Sequence, residues 1–232
     1  MDKNQLILTL RQQLYQAKEE RLKASQNLTA MSARYAIKTY QTNRLKITHM
    51  DLLNDPGTQK AANFFLTELY GTKDLTQRDK DIEKLIPLME TAFPLNTLET
   101  ITQAMVLDAL SETLDSQMAN RLGTQFTEEQ YLEAFREVGT KEDRERQLAL
   151  VESLGVSLCK LIRIPLLSTT LKMMRVPARL AGIYSLHEFL EGGFTTFQST
   201  RNPDLFVQAL VQKERAILNN IYTNSAQPFM VK

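Results

Sequence analysis

Cysteine, histidine, tryptophan and glycine are all scarce in this sequence. Of 232 residues, one is cysteine, two are histidine, eight are glycine and none is tryptophan. A single thiol, Cys159, excludes an internal disulfide, and two histidines far apart, His49 and His187, give no histidine cluster for a metal. There is no glycine-rich phosphate loop and no paired-cysteine motif. A dominant charge is missing too: 28 Lys and Arg against 27 Asp and Glu leave +1. That balance gives no general attraction to nucleic acid or to an anionic membrane, although a local patch stays open. No apolar run approaches the roughly 18–20 residues of a membrane span. Leu6-Ile7-Leu8-Thr9-Leu10 is short and is followed at once by Arg11, so no signal peptide is expected. Cysteine poverty fits a reducing compartment, and the expected location is the cytoplasm.

What the chain has is helix punctuation. Asn202-Pro203, Thr127 with Gln130, Gly123 and Gly139 sit where helices start or stop. Few glycines and little strand-type alternation point the same way. The expected fold is all-α, a multi-helix bundle of about eight or nine helices with a long N-terminal helix. Leu6, Leu10, Leu14, Ala17, Arg21, Ala24 and Leu28 recur at three-four spacing along that first helix, which runs from Lys3 into the forties with a bend or break between Thr29 and Thr42. Asn54-Asp55-Pro56-Gly57 is turn chemistry throughout. It separates a helical arm, 1–53, from a bundle, 58–223, on which the arm is expected to pack. Apolar residues occupy nearly every angle of the helix over 97–122, which places it at the centre. Cys159 lies in an apolar helical stretch and reads as a small buried hydrophobe. Pro177 begins a helix carrying Tyr184, Phe189 and Phe197, with Gly192-Gly193 inside it at a close crossing or kink.

The segment Phe64-Phe65-Leu66-Thr67-Glu68-Leu69-Tyr70-Gly71, followed by Asp74 and Arg78-Asp79, resembles an uncharacterised all-helical family of gammaproteobacteria. Arg175-Val176-Pro177-Ala178, Phe189-Leu190-Glu191-Gly192-Gly193-Phe194 and Lys213-Glu214-Arg215 are similar to it as well. The resemblance implies a bacterial helical protein and assigns no activity, cofactor or catalytic residue.

The most unusual chemistry is a row of carboxylates. Asp108, Glu112 and Asp115, four and three apart, share one face of the central helix. Three readings stay open. The face is solvated; or it is held by Arg163, Arg175 and Arg179, whose guanidinium groups suit bidentate pairing; or it holds a divalent cation, as carboxylates in bundles do. The usual Glu-x-x-His companion of such a metal site is missing. The ion-pair reading places Asp115 and at least one of Asp108 and Glu112 against those three arginines.

His187 can share a face with Glu191, four residues on, but reads first as a surface or interface histidine. Phe194 and its neighbours Tyr184, Phe189 and Phe197 are core by spacing, although the paired glycines leave room for an apolar ligand. Residues 160–179 hold five bases (Lys160, Arg163, Lys172, Arg175 and Arg179) and no acid. They can pair with the acidic row, bind phosphate groups, or form a basic amphipathic surface for a membrane or a partner helix.

The combined expectation is a non-enzymatic binding or scaffold protein without a cofactor. Its partner is a protein or a second copy through the N-terminal arm, not nucleic acid. The rival is an enzyme or small-ligand binder with a site between the acidic helix and residues 175–197.

Overall fold

The computed structural model describes all residues except Tyr70, Thr72, Asp74 and Lys232, and leaves out the side chain of Leu69. Tyr70 and Asp74, quoted above for the family resemblance, therefore lie outside the described residues. Twelve α-helices and one π-helical turn make up the secondary structure, with no strand among the described residues.

The long N-terminal helix is two. α1, Lys3–Ser25, opens with the Asp2 carboxylate accepting the Gln5 N–H at 2.8 Å. The break falls at Gln26 and Asn27, upstream of the threonine-rich stretch. There the Asn27 side chain accepts from the Thr29 and Ala30 N–H groups and starts α2, Leu28–Thr48. The apolar stripe of α1 thus ends at Ala24, and Leu28 is exposed. α2 survives its threonines because Ala33, Ile37 and Leu45 are buried at multiples of four residues.

α3, Met50–Asn54, and α4, Gln59–Phe64, are short, and the π turn Phe65–Leu69 continues α4. α5, Thr76–Ala92, runs through Pro87. α6, Leu95–Leu122, is the longest helix, and α1, α2, α7 (Glu128–Glu137) and α8 (Lys141–Leu161) all pack on it. The capping box at the start of α7 forms as the sequence suggests: Gln130 N–H to Thr127 Oγ1 at 3.2 Å, Thr127 N–H to Gln130 Oε1 at 2.9 Å.

The C-terminal half departs most from expectation. Pro177 does not open one helix reaching Phe197. α9, Leu167–Met173, and α10, Arg175–Leu180, are followed by Gly182 at φ 66°, and α11, Tyr184–Gln198, starts afresh. Gly182 supplies the left-handed turn. The side chain that caps α11 comes from α5, where Asp81, fully buried, accepts the Leu186 N–H at 3.1 Å and the Gln77 amide at 2.8 Å. A cap supplied by another helix leaves no signature in local sequence. α12, Pro203–Tyr222, closes the chain of helices.

Three apolar clusters form the core. Leu6, Ile7, Leu10 and Leu14 of α1 pack with Ile82, Ile86 and Met89 of α5 and Leu98 and Met105 of α6. Val151 and Cys159 of α8 meet Phe197, Phe206, Val207 and Val211 of α11 and α12. Ala33 and Ile37 meet Met118, Tyr131 and Ala134. Cys159 is buried, and burial pushes its thiol above the ordinary range, so it behaves as a hydrophobe rather than a nucleophile. The paired glycines of α11 have a packing reason. A Cβ on Gly193 would stand 3.0 Å from the Phe64 ring, which stacks obliquely on Phe189 at 5.7 Å. Phe64 occupies the space the glycines leave.

Candidate functional site

α6 places Asp108, Glu112 and Asp115 on one face, and that face is turned toward the N-terminal helices. α1 brings Arg21, α2 brings Arg34, Lys38 and Gln41, and α5 brings Arg78 with a further acid, Asp79. Arg21 joins three helices: it donates to Asp79 Oδ2 at 2.5 Å and to both oxygens of Asp108 at 2.7 Å. Arg78 lies between the same two acids, 3.0 Å from Asp79 Oδ1 and 3.1 Å from Asp108 Oδ2. Glu112 accepts from Arg34 through Oε2 and from Lys38 through Oε1 at 2.8 Å. The remaining Arg34 donors reach the Glu20 carbonyl at 2.9 Å and Ser116 Oγ at 2.8 Å. Asp115, half-buried, accepts from the Gln41 amide at 3.1 Å.

Four carboxylates (Asp79, Asp108, Glu112, Asp115) are therefore set among four cations (Arg21, Arg34, Lys38, Arg78), and the network is neutral. The side chains of Asp79 and Glu112 are only 1% and 5% exposed. Burial would raise the Asp108 carboxyl, but Arg78 and Arg21 outweigh it and hold it below its usual range. At Asp79 burial prevails over the same two arginines, and that carboxyl sits above its usual range. Burial also draws Arg34 and Lys38 down. Both oxygens of Asp79, Asp108 and Glu112 already accept from cationic donors. Among the described residues no three His, Cys, Asp or Glu side chains converge as metal ligands. The row is charge-satisfied within the protein.

The arginines expected to hold the row do not reach it. Arg163 pairs with Asp204 at the start of α12, Arg175 forms a fork on Glu191 at 2.6 and 2.7 Å, and Arg179 lies 4.7 Å over the Tyr184 ring. The acidic row is an arginine-held network, as one reading had it, but with partners from the other end of the chain. The reason is topological: α1 and α2 line that face of α6 and α5 reaches it through Arg78, while α9 and α10 pack against α11. Arg21 sits within the apolar stripe of α1, and Arg34 and Lys38 directly follow the buried Ala33 and Ile37. A base inside an apolar stripe was the legible signal.

His187 is buried rather than superficial, with Nε2 3.4 Å from Glu191 Oε2. Phe194 is buried on the inner side of α11, and Tyr184 lies beneath Arg179. The sequence-derived candidates thus divide into an acidic row facing α1, α2 and α5, and a separate C-terminal group, 163–194, which among the described residues reaches the network only where the Phe189 ring lies 6.0 Å from Arg78. Surface hollows beside Ile7, Arg11 and Glu90 and beside Tyr35, Tyr40 and Phe126 involve neither group.

A second buried charge went unread in the sequence. Glu214 of α12 receives Arg44 of α2 at 2.6 Å on both oxygens, and the His49 ring N–H at 2.8 Å. It stands in the stripe Val207, Val211, Leu218 and Ile221, the same signal as Arg21. Burial would raise its carboxyl, but Arg44 and the His49 hydrogen bond bring it down to about 2. The folded value lies below the unfolded one, so this stabilisation is present above about pH 4.5 and is lost as pH falls through about 2. Its size is on the order of 3 kcal/mol. We expect acid unfolding to steepen below pH 4.5, and Glu214→Gln to shrink the stability difference between neutral and acid pH by that amount in urea titrations. An unchanged difference would remove Glu214 from the acid response.

The architecture is that of an all-α bundle whose central helix is neutralised from within. The chain belongs to the family described as Domain of unknown function (DUF8198), matched over residues 19–228. All eight members of the charge network fall inside that span. No curated protein and no solved structure matches the chain.

Proposed function

We propose that this is a non-enzymatic binding or scaffold protein of the bacterial cytoplasm, and that it docks on an extended partner surface, protein or lipid, through α9 and α10. One observation carries the reading: α9 buries none of its residues although it is rich in leucine and methionine. Over 161–182 only Ala178 is buried. The acidic row, the strongest candidate for chemistry in the sequence, has its charges spent on internal partners. The space beside the paired glycines is filled by Phe64. Both features favour binding over a small-ligand site between α6 and residues 175–197.

The test is photo-crosslinking in the native host, with the crosslinker at Met173 or Leu180 and, as control, at the exposed Gln117 of α6. We expect crosslinks to protein or to lipid from the first two positions above the control. Crosslinks no more frequent than at Gln117, or a small molecule retained by the purified protein in native mass spectrometry, would contradict the reading.

Self-association has its own support. Leu6, Leu10 and Leu14 are buried within the chain, so the stripe that suggested a dimer is used internally. On the opposite side of α1, Leu8, Tyr15 and Leu22 are exposed at seven-residue intervals, as in a helix seam. Tyr15→Lys should lower the sedimenting mass if that face joins two copies; an unchanged mass removes the seam from consideration.

A further inference from the structure

We propose that residues 161–182 dock the protein onto an anionic lipid surface. This rests on the binding function above and names its partner. The segment joins two properties that are seldom found together in a packed domain. Its apolar side chains face outward: Leu166, Met173, Val176 and Leu180 are 77, 73, 67 and 85% exposed. Single exposed apolar residues are ordinary, whereas four large ones within fifteen residues mark a candidate interaction surface. Together with Lys160, which immediately precedes it, the same stretch is uniformly basic. Residues 160–179 carry five bases and no acid, a charge of +5, so the rest of a chain whose total is +1 carries −4. The molecule is electrically polar, with this end positive.

Two of the five bases are neutralised from outside the segment, Arg163 by Asp204 and Arg175 by Glu191. Lys160, Lys172 and Arg179 have no carboxylate partner among the described residues, and Arg179 lies on the Tyr184 ring.

Charge decides the occupant. A two-fold contact between copies of this chain would lay the positive patch on itself, with like charges opposed. A nucleic-acid backbone would take the cations and leave the leucines and methionines wet. A bilayer surface takes both. Leu166, Met173, Val176 and Leu180 enter the acyl boundary, while lysine and arginine heads stay among the phosphates on their aliphatic stems. No described helix is long and apolar enough to cross a membrane, so the contact is superficial.

The test is flotation of the full chain with vesicles of phosphatidylcholine alone and with phosphatidylglycerol added. We expect flotation with the anionic vesicles only, falling steeply as salt rises past about 0.1 M, where screening acts within about 10 Å. Lys160→Gln with Lys172→Gln should weaken binding about 25-fold, about fivefold per charge. Met173→Asn with Leu180→Asn should weaken it at least about tenfold. All four positions are exposed, so both variants should keep the wild-type circular dichroism spectrum. Absent flotation, equal flotation with neutral vesicles, or binding that survives either double variant overturns the lipid proposal. If flotation fails while Met173 or Leu180 crosslinks to a protein, the partner is an acidic protein and the binding-surface reading stands. If both fail, both fall.

Discussion

Glu112→Gln should lower the unfolding free energy by about 3–5 kcal/mol, the cost of leaving a buried charge without its partner. Glu112 is nearly inaccessible and, among the described residues, is the only carboxylate within hydrogen-bonding distance of both Arg34 and Lys38. Glutamine keeps the shape and removes the charge, so Arg34 and Lys38 lose the carboxylate that both contact, and the buried network is left with one uncompensated positive charge. Burial already draws both toward their neutral forms, and the substitution strengthens that pull. Asp115→Asn is the matched control. Asp115 is half-buried, makes its direct hydrogen bond to a neutral amide and acts on Arg34 and Lys38 only through space, so its loss should cost less than that of Glu112, about 1–2 kcal/mol. Chelator should leave the wild-type midpoint unchanged, because the carboxylates are held by arginine, lysine and amide side chains rather than by a metal ion. Urea unfolding of the two variants checks the pair. Equal, small effects would mean that the row is open to solvent.

The second large effect is at α1. Leu10 is fully buried against α5 and α6, whereas Leu8, two residues earlier, is 56% exposed. Leu10→Asp loses about 1.5–3 kcal/mol of burial and adds several kcal/mol for an unpaired carboxylate. Those terms approach the whole stability of a domain of this size, so the variant should fail to fold. Leu8→Asp should shift stability by no more than about 0.5 kcal/mol. Soluble yield and helical signal distinguish the two. A folded Leu10→Asp protein would mean that α1 does not pack on α6.

Helix type was legible in the sequence because caps and three-four periodicity are local. Thr127 with Gln130 fixes α7 in four residues, and Pro203 begins α12 where it should. The central place of α6 was legible too, because a helix apolar at every angle has nowhere else to lie. What sequence could not supply was set by distant contacts. Asp81 caps α11 from 105 residues away, and without it the split at Gly182 reads as continuous helix. The partners of the acidic row were misassigned for the same reason. Arg163, Arg175 and Arg179 lie in a stretch with five bases and no acid, but composition says nothing about which helices face one another. Arg21 and Glu214, each a charge inside an apolar stripe, were the better guides. Such a residue must find an opposite charge across the helix interface, whichever helix that proves to be. The outward surface of α9 and α10 was half legible. Its bases and apolar residues are plain in sequence, but their exposure is not.

We assign the acidic row to stability and the α9–α10 surface to binding. Hydrogen exchange read by mass spectrometry, on the full chain alone and with phosphatidylglycerol vesicles, tests that division most directly. The predicted result is protection gained by peptides within 161–182, with peptides around Glu112 unchanged. Protection gained around Asp108, Glu112 and Asp115, with none in 161–182, would contradict it.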